Sequence, residues 1–121
     1  MSVNHITAFE GIDAVAGSQY DAPKEVMLGG NPTTTDWPVF DSTDGAVSMG
    51  VWESEHYHKI KQHPNEMEYC FILEGEVKIS DQQGNSQHFK AGQAFVVKPG
   101  FDGVWESLGK VKKHYVICKC N

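Results

Sequence analysis

The sequence predicts an all-β protein in which short antiparallel strands pack as a sandwich or a barrel. From residue 46 onward, apolar or alternating stretches are separated by turn signals every few residues. No segment shows the apolar spacing of an amphipathic helix of ten residues. The chain has 121 residues, 40% of them hydrophobic, which suits one domain with a core that needs no disulfide or metal.

The predicted elements differ between the two parts of the chain. We expect residues 1–45 to be irregular and to pack on the barrel, because 29–45 is dense in Gly, Pro, Asp and Thr. Two alternating strands follow at 46–53 and 56–61. The stretch 67–80 is apolar, aromatic and β-branched, which predicts two strands joined at Glu74-Gly75.

The rest of the predicted barrel returns in short strands up to residue 119. Residues 81–85, which include Gly84, predict a turn. Strands are then predicted over 86–90, 94–98, 103–107 and 111–119. Residues 46–119 should therefore form two packed antiparallel sheets.

Charge and composition exclude several classes of function. The net charge is −6 and all ten basic residues are lysines, so nucleic acid is not an expected partner. Without arginine, no guanidinium can clamp a carboxylate or phosphate. No stretch approaches the ~20 apolar residues of a membrane helix, and the N-terminus lacks the features of a secretory signal. We expect a cytoplasmic protein that does not bind membranes.

The three cysteines, Cys70, Cys118 and Cys120, indicate reduced thiols. Cys118 and Cys120 would share one face of a strand. They could hold a soft metal or serve as two small apolar side chains.

Several spaced motifs resemble the cupin superfamily. Glu68, six residues and Gly75 match the end of the first cupin motif, and Gly92 followed by Lys98-Pro99-Gly100 resembles the second. The finer match is to small single-domain cupins similar to the domains of ureidoglycine aminohydrolase and of the ethanolamine-utilisation cupin. It covers about residues 37–118 and implies a cupin-type jelly-roll β-barrel. The fold hosts many activities, so it does not name a reaction.

The metal ligands of the cupin motif are mostly missing. Its two first histidines correspond to Lys61 and His63, and its third corresponds to Gly103. Only His63 and Glu68 remain of a site with three histidines and one glutamate. The histidine pattern of the ureidoglycine enzyme is absent too, so that activity is not implied.

A second register keeps a metal site open. Gly50, five residues and His56-Tyr57-His58 fit the opening of the motif, although nine residues then separate His58 from Glu68. A set of His56, His58, His63 and Glu68 would suit a divalent transition metal. Alternatively, His56 and His58 are surface residues and His63-Pro64 is a turn. In that case we expect no cofactor.

Strand alternation divides the central strand between the interior and an outer surface. If Glu68 points inward, Cys70 and Ile72 do so as well. The large apolar side chains of Tyr69, Phe71 and Leu73 then face outward, which favours a homodimer interface. Coverage by the N-terminal segment is the alternative.

The inward residues predict a pocket for a small molecule. Glu68 is the expected acid or base, Lys61 and His63 would orient the substrate, and a Lys61–Glu68 pair would replace the metal. Substrate-binding candidates are Trp52, Trp105, Lys113 and Tyr115, with the two indoles sandwiching a flat or sugar-like ligand. An enzyme acting on a small polar or carbohydrate-like metabolite and a non-catalytic binding or sensing module both remain possible.

Overall fold

The structure, a computed structural model, describes residues 3–120. Its helices there are two short 3-10 turns, and none is long and apolar enough to cross a membrane. Within the same range the chain forms eleven strands, β1 to β11, which in chain order are Ser18–Asp21, Met27–Gly30, Thr33–Asp41, Val47–Ser54, Tyr57–His63, Glu66–Glu74, Glu76–Asp81, Ser86–Lys90, Ala94–Val97, Phe101–Ser107 and Val111–Lys119.

These strands form two packed antiparallel sheets. One sheet has the order β1-β3-β4-β11-β6-β9, and the other has the order β2-β5-β10-β7-β8. Consecutive strands such as β4 and β5 lie in different sheets, so the chain crosses between the layers as a jelly roll does. The predicted all-β class and two-sheet architecture are confirmed.

The expectation that residues 1–45 are irregular is wrong for much of residues 18–41. The segment holds β1, β2 and β3, and β3 pairs with β4 inside the larger sheet. Three consecutive threonines, Thr33 to Thr35, favour an extended chain, and the neighbouring strand satisfies its backbone. Pro38, which cannot donate to the ladder, lies where the register of β3 against β4 shifts. The turn-forming composition was therefore outweighed by pairing.

Two chain reversals that the sequence predicted are built on glycines. Gly75 connects β6 to β7 with φ of 85°, and Gly84 lies between β7 and β8 with φ of 87°. Both values belong to the left-handed region that side chains disfavour. A side chain at Gly75 would also collide with the carbonyl oxygen of Lys110.

The core lies between the sheets, and β6 shows how alternation divides it. Glu68, Cys70 and Ile72 are buried, whereas Tyr69 is 42% exposed. The predicted facing of this strand is therefore confirmed.

On the outer side, the ring centroid of Phe9 lies 4.7 Å from that of the His114 imidazole, which is also close to the ring of Phe71. The N-terminal segment thus covers part of the outer face.

Candidate functional site

A cavity of about 390 Å³ opens between the two sheets. In β5, β6, β10 and β11, every second side chain points into this space, because side chains alternate between the two faces of a strand. All the residues that the sequence predicted for catalysis and substrate binding line it, namely Trp52, Lys61, His63, Glu68, Trp105, Lys113 and Tyr115. The roles assigned to these residues remain predictions.

Glu68 is the centre of a charge cluster in this cavity. Lys61 Nζ donates to its Oε1 at 2.7 Å, and Lys113 Nζ donates to its Oε2 at 2.7 Å. Lys61 reaches across from β5 in the opposite sheet, whereas Lys113 comes from the neighbouring strand β11. The side chains of Glu68 and Lys113 are only 4% and 6% exposed. One carboxylate therefore joins both sheets through the buried ammonium group of Lys113 and the partly buried one of Lys61.

The cluster fixes the protonation state of its members. Burial opposes ionisation of Glu68, but Lys113 and Lys61 outweigh it and hold the pKa of the carboxyl well below its ordinary value. Burial likewise opposes the charge of Lys113, but the charge and hydrogen bond of Glu68 raise its pKa above the ordinary value. The buried lysine and glutamate are thus both charged. Cys70, 3.8 Å from Lys113 Nζ, has its thiol pKa raised by burial to about 12 and stays protonated.

His63 lies beside the cluster without joining it. Its Nε2 is 3.6 Å from Glu68 Oε1, and its Nδ1 is 3.3 Å from Glu66 Oε1 without forming a hydrogen bond. Burial, followed by the charge of Lys61, lowers the pKa of this imidazole to about 4. His63 is therefore neutral at neutral pH.

The two indoles form the wall around Lys113. Its Nζ lies 4.2 Å from the ring centroid of Trp105 and 4.7 Å from that of Trp52, within the range of cation–π contacts. The rings themselves meet edge to face, with centroids 5.7 Å apart. The prediction that they sandwich a flat ligand is wrong in this geometry, because perpendicular rings in contact leave no slot between them.

Tyr115 and two glycines shape the remaining walls. The Tyr115 hydroxyl donates to Asp36 Oδ1 at 2.6 Å, and a side chain at Gly50 would meet that hydroxyl at 2.9 Å. A side chain at Gly103 would meet the ring of Phe101 at 2.6 Å. The glycines that flank Trp52 and Trp105 therefore mark close approach of the protein's own groups.

The alternative metal set is not brought together. His56 lies in the turn before β5, is exposed, and places its Nε2 3.2 Å from Glu106 Oε2. His58 lies on β5 between the inward residues Tyr57 and Lys59, so alternation turns it to the outer face. A site formed by His56, His58, His63 and Glu68 is therefore a wrong prediction.

The pocket residues do not fit a divalent metal. Both oxygens of Glu68 accept hydrogen bonds from ammonium groups. Where the cupin motif has its third histidine, the ring of Phe101 fills the space beside Gly103. Within residues 3–120, no group of three His, Cys, Asp or Glu side chains is placed to hold a metal ion. Cupins often bind metals, and this pocket has a lysine–glutamate cluster at the corresponding position.

Sequence reasoning missed part of the pocket. Lys59 lines the pocket because it lies two residues before Lys61 on β5 and therefore shares its face. This spacing can be read from the sequence. Asp36 and Tyr20 also line it, but they come from the segment predicted to be irregular. The pairing of β3 with β4 brings Asp36 next to Tyr115, and the sequence does not show this pairing.

The two-sheet jelly-roll fold is that of a cupin. A family model described as an EutQ-like cupin domain matches residues 41–115, and the chain belongs to this family. The predicted resemblance to cupins is thus confirmed. None of the curated proteins matches the sequence.

Solved structures show the same fold. A protein of unknown function of the DUF861 family from Pseudomonas syringae pv. tomato is 27% identical, with a TM-score of 0.71. The match covers 85% of this chain but only 43% of that one, so this chain spans less than half of its length. The EutQ protein of Clostridium difficile is 16% identical with a TM-score of 0.67, over 92% of this chain and 79% of that one.

A predicted oxalate decarboxylase from Thermotoga maritima is also similar. It is 18% identical, with a TM-score of 0.69, over 88% of this chain and 95% of that one. At this identity the likeness concerns the fold alone.

Proposed function

We propose that this chain is a small-molecule-binding cupin whose barrel pocket holds a small polar or carbohydrate-like metabolite without a metal. The observation that carries the proposal is the placement of the Lys61–Glu68–Lys113 cluster in the wall of an open cavity. Its volume, about 390 Å³, lies in the range of pockets for small ligands.

The charges of the pocket favour a ligand with an anionic group. Lys59, Lys61 and Lys113 line the interior, and Glu68 is the buried carboxylate among them. The lining has three further acids that are less enclosed: Asp41 is exposed, the side chain of Glu66 is 35% exposed, and Asp36 is bound to Tyr115. A ligand carboxylate would pair with Lys59, the lysine of the lining that does not contact Glu68, while hydroxyl groups could bind the acids of the rim.

Binding fits the pocket better than proton transfer by Glu68. A general acid or base works best when its pKa lies near the working pH. The pKa of Glu68 is held far below neutrality, and that of His63 is lowered to about 4. In this proposal Glu68 therefore positions two ammonium groups, and the catalytic role predicted for it is the competing hypothesis.

Two ligands that differ by one carboxylate test the proposal. Glucuronate and glucose share a ring, and binding to either should change the fluorescence of Trp52 and Trp105. Trp37 is best replaced by Phe in the protein used, because its indole donates to Val15 outside the cavity and would add background. We expect a saturable change with glucuronate and a weaker one with glucose. The absence of a saturable change with both sugars would contradict the proposed pocket.

A matched pair of variants assigns the binding to the pocket. Lys61→Met should weaken glucuronate binding, because it removes an ammonium group from the cavity wall. Lys98→Met changes an exposed lysine and should leave the affinity unchanged. Equal effects of the two variants would place the sugar elsewhere on the protein.

We also propose that the chain is a homodimer through the outer face of β6. Tyr69 and its partner on β9, Val96, are 42% and 44% exposed, next to the half-buried Phe71 and Leu73. Light scattering should give roughly twice the chain mass of 13.4 kDa. Tyr69→Asp should reduce this to the monomer mass. A wild-type monomer at micromolar concentration would show the proposal to be wrong.

A further inference from the structure

Three amines enter the pocket, and the buried carboxylate can pair with two of them. Glu68 accepts Lys61 at Oε1 and Lys113 at Oε2, so both of its oxygens are engaged. Among residues 3–120, Lys59 is found in no ion pair and its side chain in no hydrogen bond. Lys59 is thus the amine of the cavity that has no acid partner within this range.

The position of Lys59 makes its amine different from a surface lysine. It lies on β5 between Tyr57 and Lys61, opposite Trp105 of β10, and it points into the cavity. Burial is the main cause that lowers its pKa, and the charges of Lys61 and Lys113 lower it further, while Glu68 acts in the opposite direction. A larger share of this amine is therefore neutral, which is the nucleophilic form.

From this placement we propose that Lys59 is a carbonyl-reactive residue that forms a Schiff base with a small 2-oxo acid bound in the pocket. The proposal rests on the small-molecule pocket proposed above and names the class of its ligand. The carboxylate of a 2-oxo acid would supply a negative charge beside the lysines, of which only Lys61 and Lys113 contact Glu68. Its carbonyl carbon would then lie among amines in a partly desolvated cavity.

The reaction needs no oxidant or reductant. The lone pair of the neutral Nζ attacks the carbonyl carbon, and the π pair of the C=O bond moves to oxygen, which takes a proton. Nitrogen gives up one of its two protons, which yields the carbinolamine. The carbinolamine hydroxyl takes a further proton from solvent and leaves as water while the nitrogen lone pair forms the double bond to carbon. The remaining nitrogen proton stays or leaves to solvent, which gives the iminium or the imine. Lys61 or Lys113 is placed to stabilise the developing charge on oxygen.

Reductive trapping with pyruvate tests the proposal on the wild-type protein. Sodium cyanoborohydride reduces an iminium to a stable amine adduct, which peptide mapping by mass spectrometry locates. Lys90 and Lys98 are exposed and serve as internal controls in the same sample. We expect Lys59 to be modified roughly tenfold faster or more, because binding raises the local concentration of the carbonyl. The rate should also saturate with pyruvate.

The Lys59→Arg variant keeps the positive charge but cannot form the adduct. It should lose the saturable modification and keep the background at Lys90 and Lys98. Equal rates at Lys59 and the exposed lysines would overturn the proposal, and so would an adduct confined to Lys61 or Lys113. These comparisons within the wild-type sample hold even if the variant does not fold.

Fluorescence separates this proposal from the pocket on which it rests. If pyruvate or glucuronate gives a saturable change but no adduct forms on Lys59, the Schiff base is wrong and the pocket stands. If none of these ligands binds and no adduct forms, both proposals fail.

Discussion

The two faces of β11 carry neighbouring lysines in opposite environments. Lys112 points outward, is 20% exposed, and contacts Asp13, Glu53 and Glu74. Lys113 points inward, is 6% exposed, and pairs with Glu68. The outer lysine thus has three acidic neighbours, and the buried one shares a single carboxylate with another lysine.

This difference teaches that the number of ion pairs does not measure their importance. Solvent and salt screen the outer contacts, so such pairs contribute little to stability. Inside the barrel, a charge left without a partner retains the full cost of having lost its water. The inner cluster should therefore be sensitive to every single change, and the outer one should tolerate them.

The largest effect is expected for Glu68→Gln. The change leaves the ammonium groups of Lys61 and Lys113 buried without a counter-charge, which should lower the free energy of unfolding by ~3–5 kcal/mol. Urea denaturation measures it. Glu74→Gln is the matched control, because Glu74 lies on the same strand and its side chain is 54% exposed. Similar losses in both variants would contradict a buried charge cluster.

Lys113→Met compared with Lys112→Met tests the two faces directly. Lys113→Met should cost about 3 kcal/mol, at the lower end of the range for a broken buried pair, because Lys61 still holds Glu68. Lys112→Met should shift the denaturation midpoint by only a small fraction of that change. A larger shift for Lys112→Met would reverse the comparison.

Lys61→Met should cost less than Lys113→Met, because Lys61 is the more exposed partner of Glu68. The double variant Lys61→Met, Glu68→Gln should be more stable than the sum of the two single losses predicts. A double-mutant cycle from urea denaturation gives this coupling. Strict additivity would mean that Lys61 and Glu68 do not interact in solution.

A pH titration should reveal a contribution of His63 that is absent from measurements at neutral pH. Its pKa is about 4 in the folded protein and 6.5 in an unfolded chain, so the unfolded chain takes up a proton first. The free energy of unfolding should therefore fall as the pH drops from 6.5 to 4, by at most about 1.4 kcal/mol per pH unit. Glu68, whose pKa is lowered by folding, adds a loss only below its unfolded pKa of about 4.5.

His63→Gln isolates this contribution. The pKa of His114 is lowered as well, but that residue is present in both proteins and cancels in the difference. The wild type should lose more stability than the variant between pH 6.5 and 4. Parallel curves would show that His63 titrates like a solvated imidazole.

The sequence alone determined the barrel strands and the facing of the site. Short alternating stretches between glycine turns predicted the strands from residue 46 onward, and β8 and β11 match their predicted ranges residue for residue. Alternation along β6 also placed Glu68 inward, because side chains of a strand alternate strictly between its faces. The cupin spacing then indicated Lys61 as its partner, and the structure joins the two at 2.7 Å.

Only the tertiary structure decided what lies beside these residues. Spacing within one strand does not show which strand becomes its neighbour. The sequence therefore placed Lys113 in the pocket without showing which glutamate it pairs with, and the contact with Glu68 spans 45 positions. For the same reason the sequence did not predict β3, whose composition is that of a loop and which is a strand because β4 pairs with it. The tertiary structure also decided that the two indoles meet edge to face around Lys113. Packing between distant segments, rather than local preference, set these features.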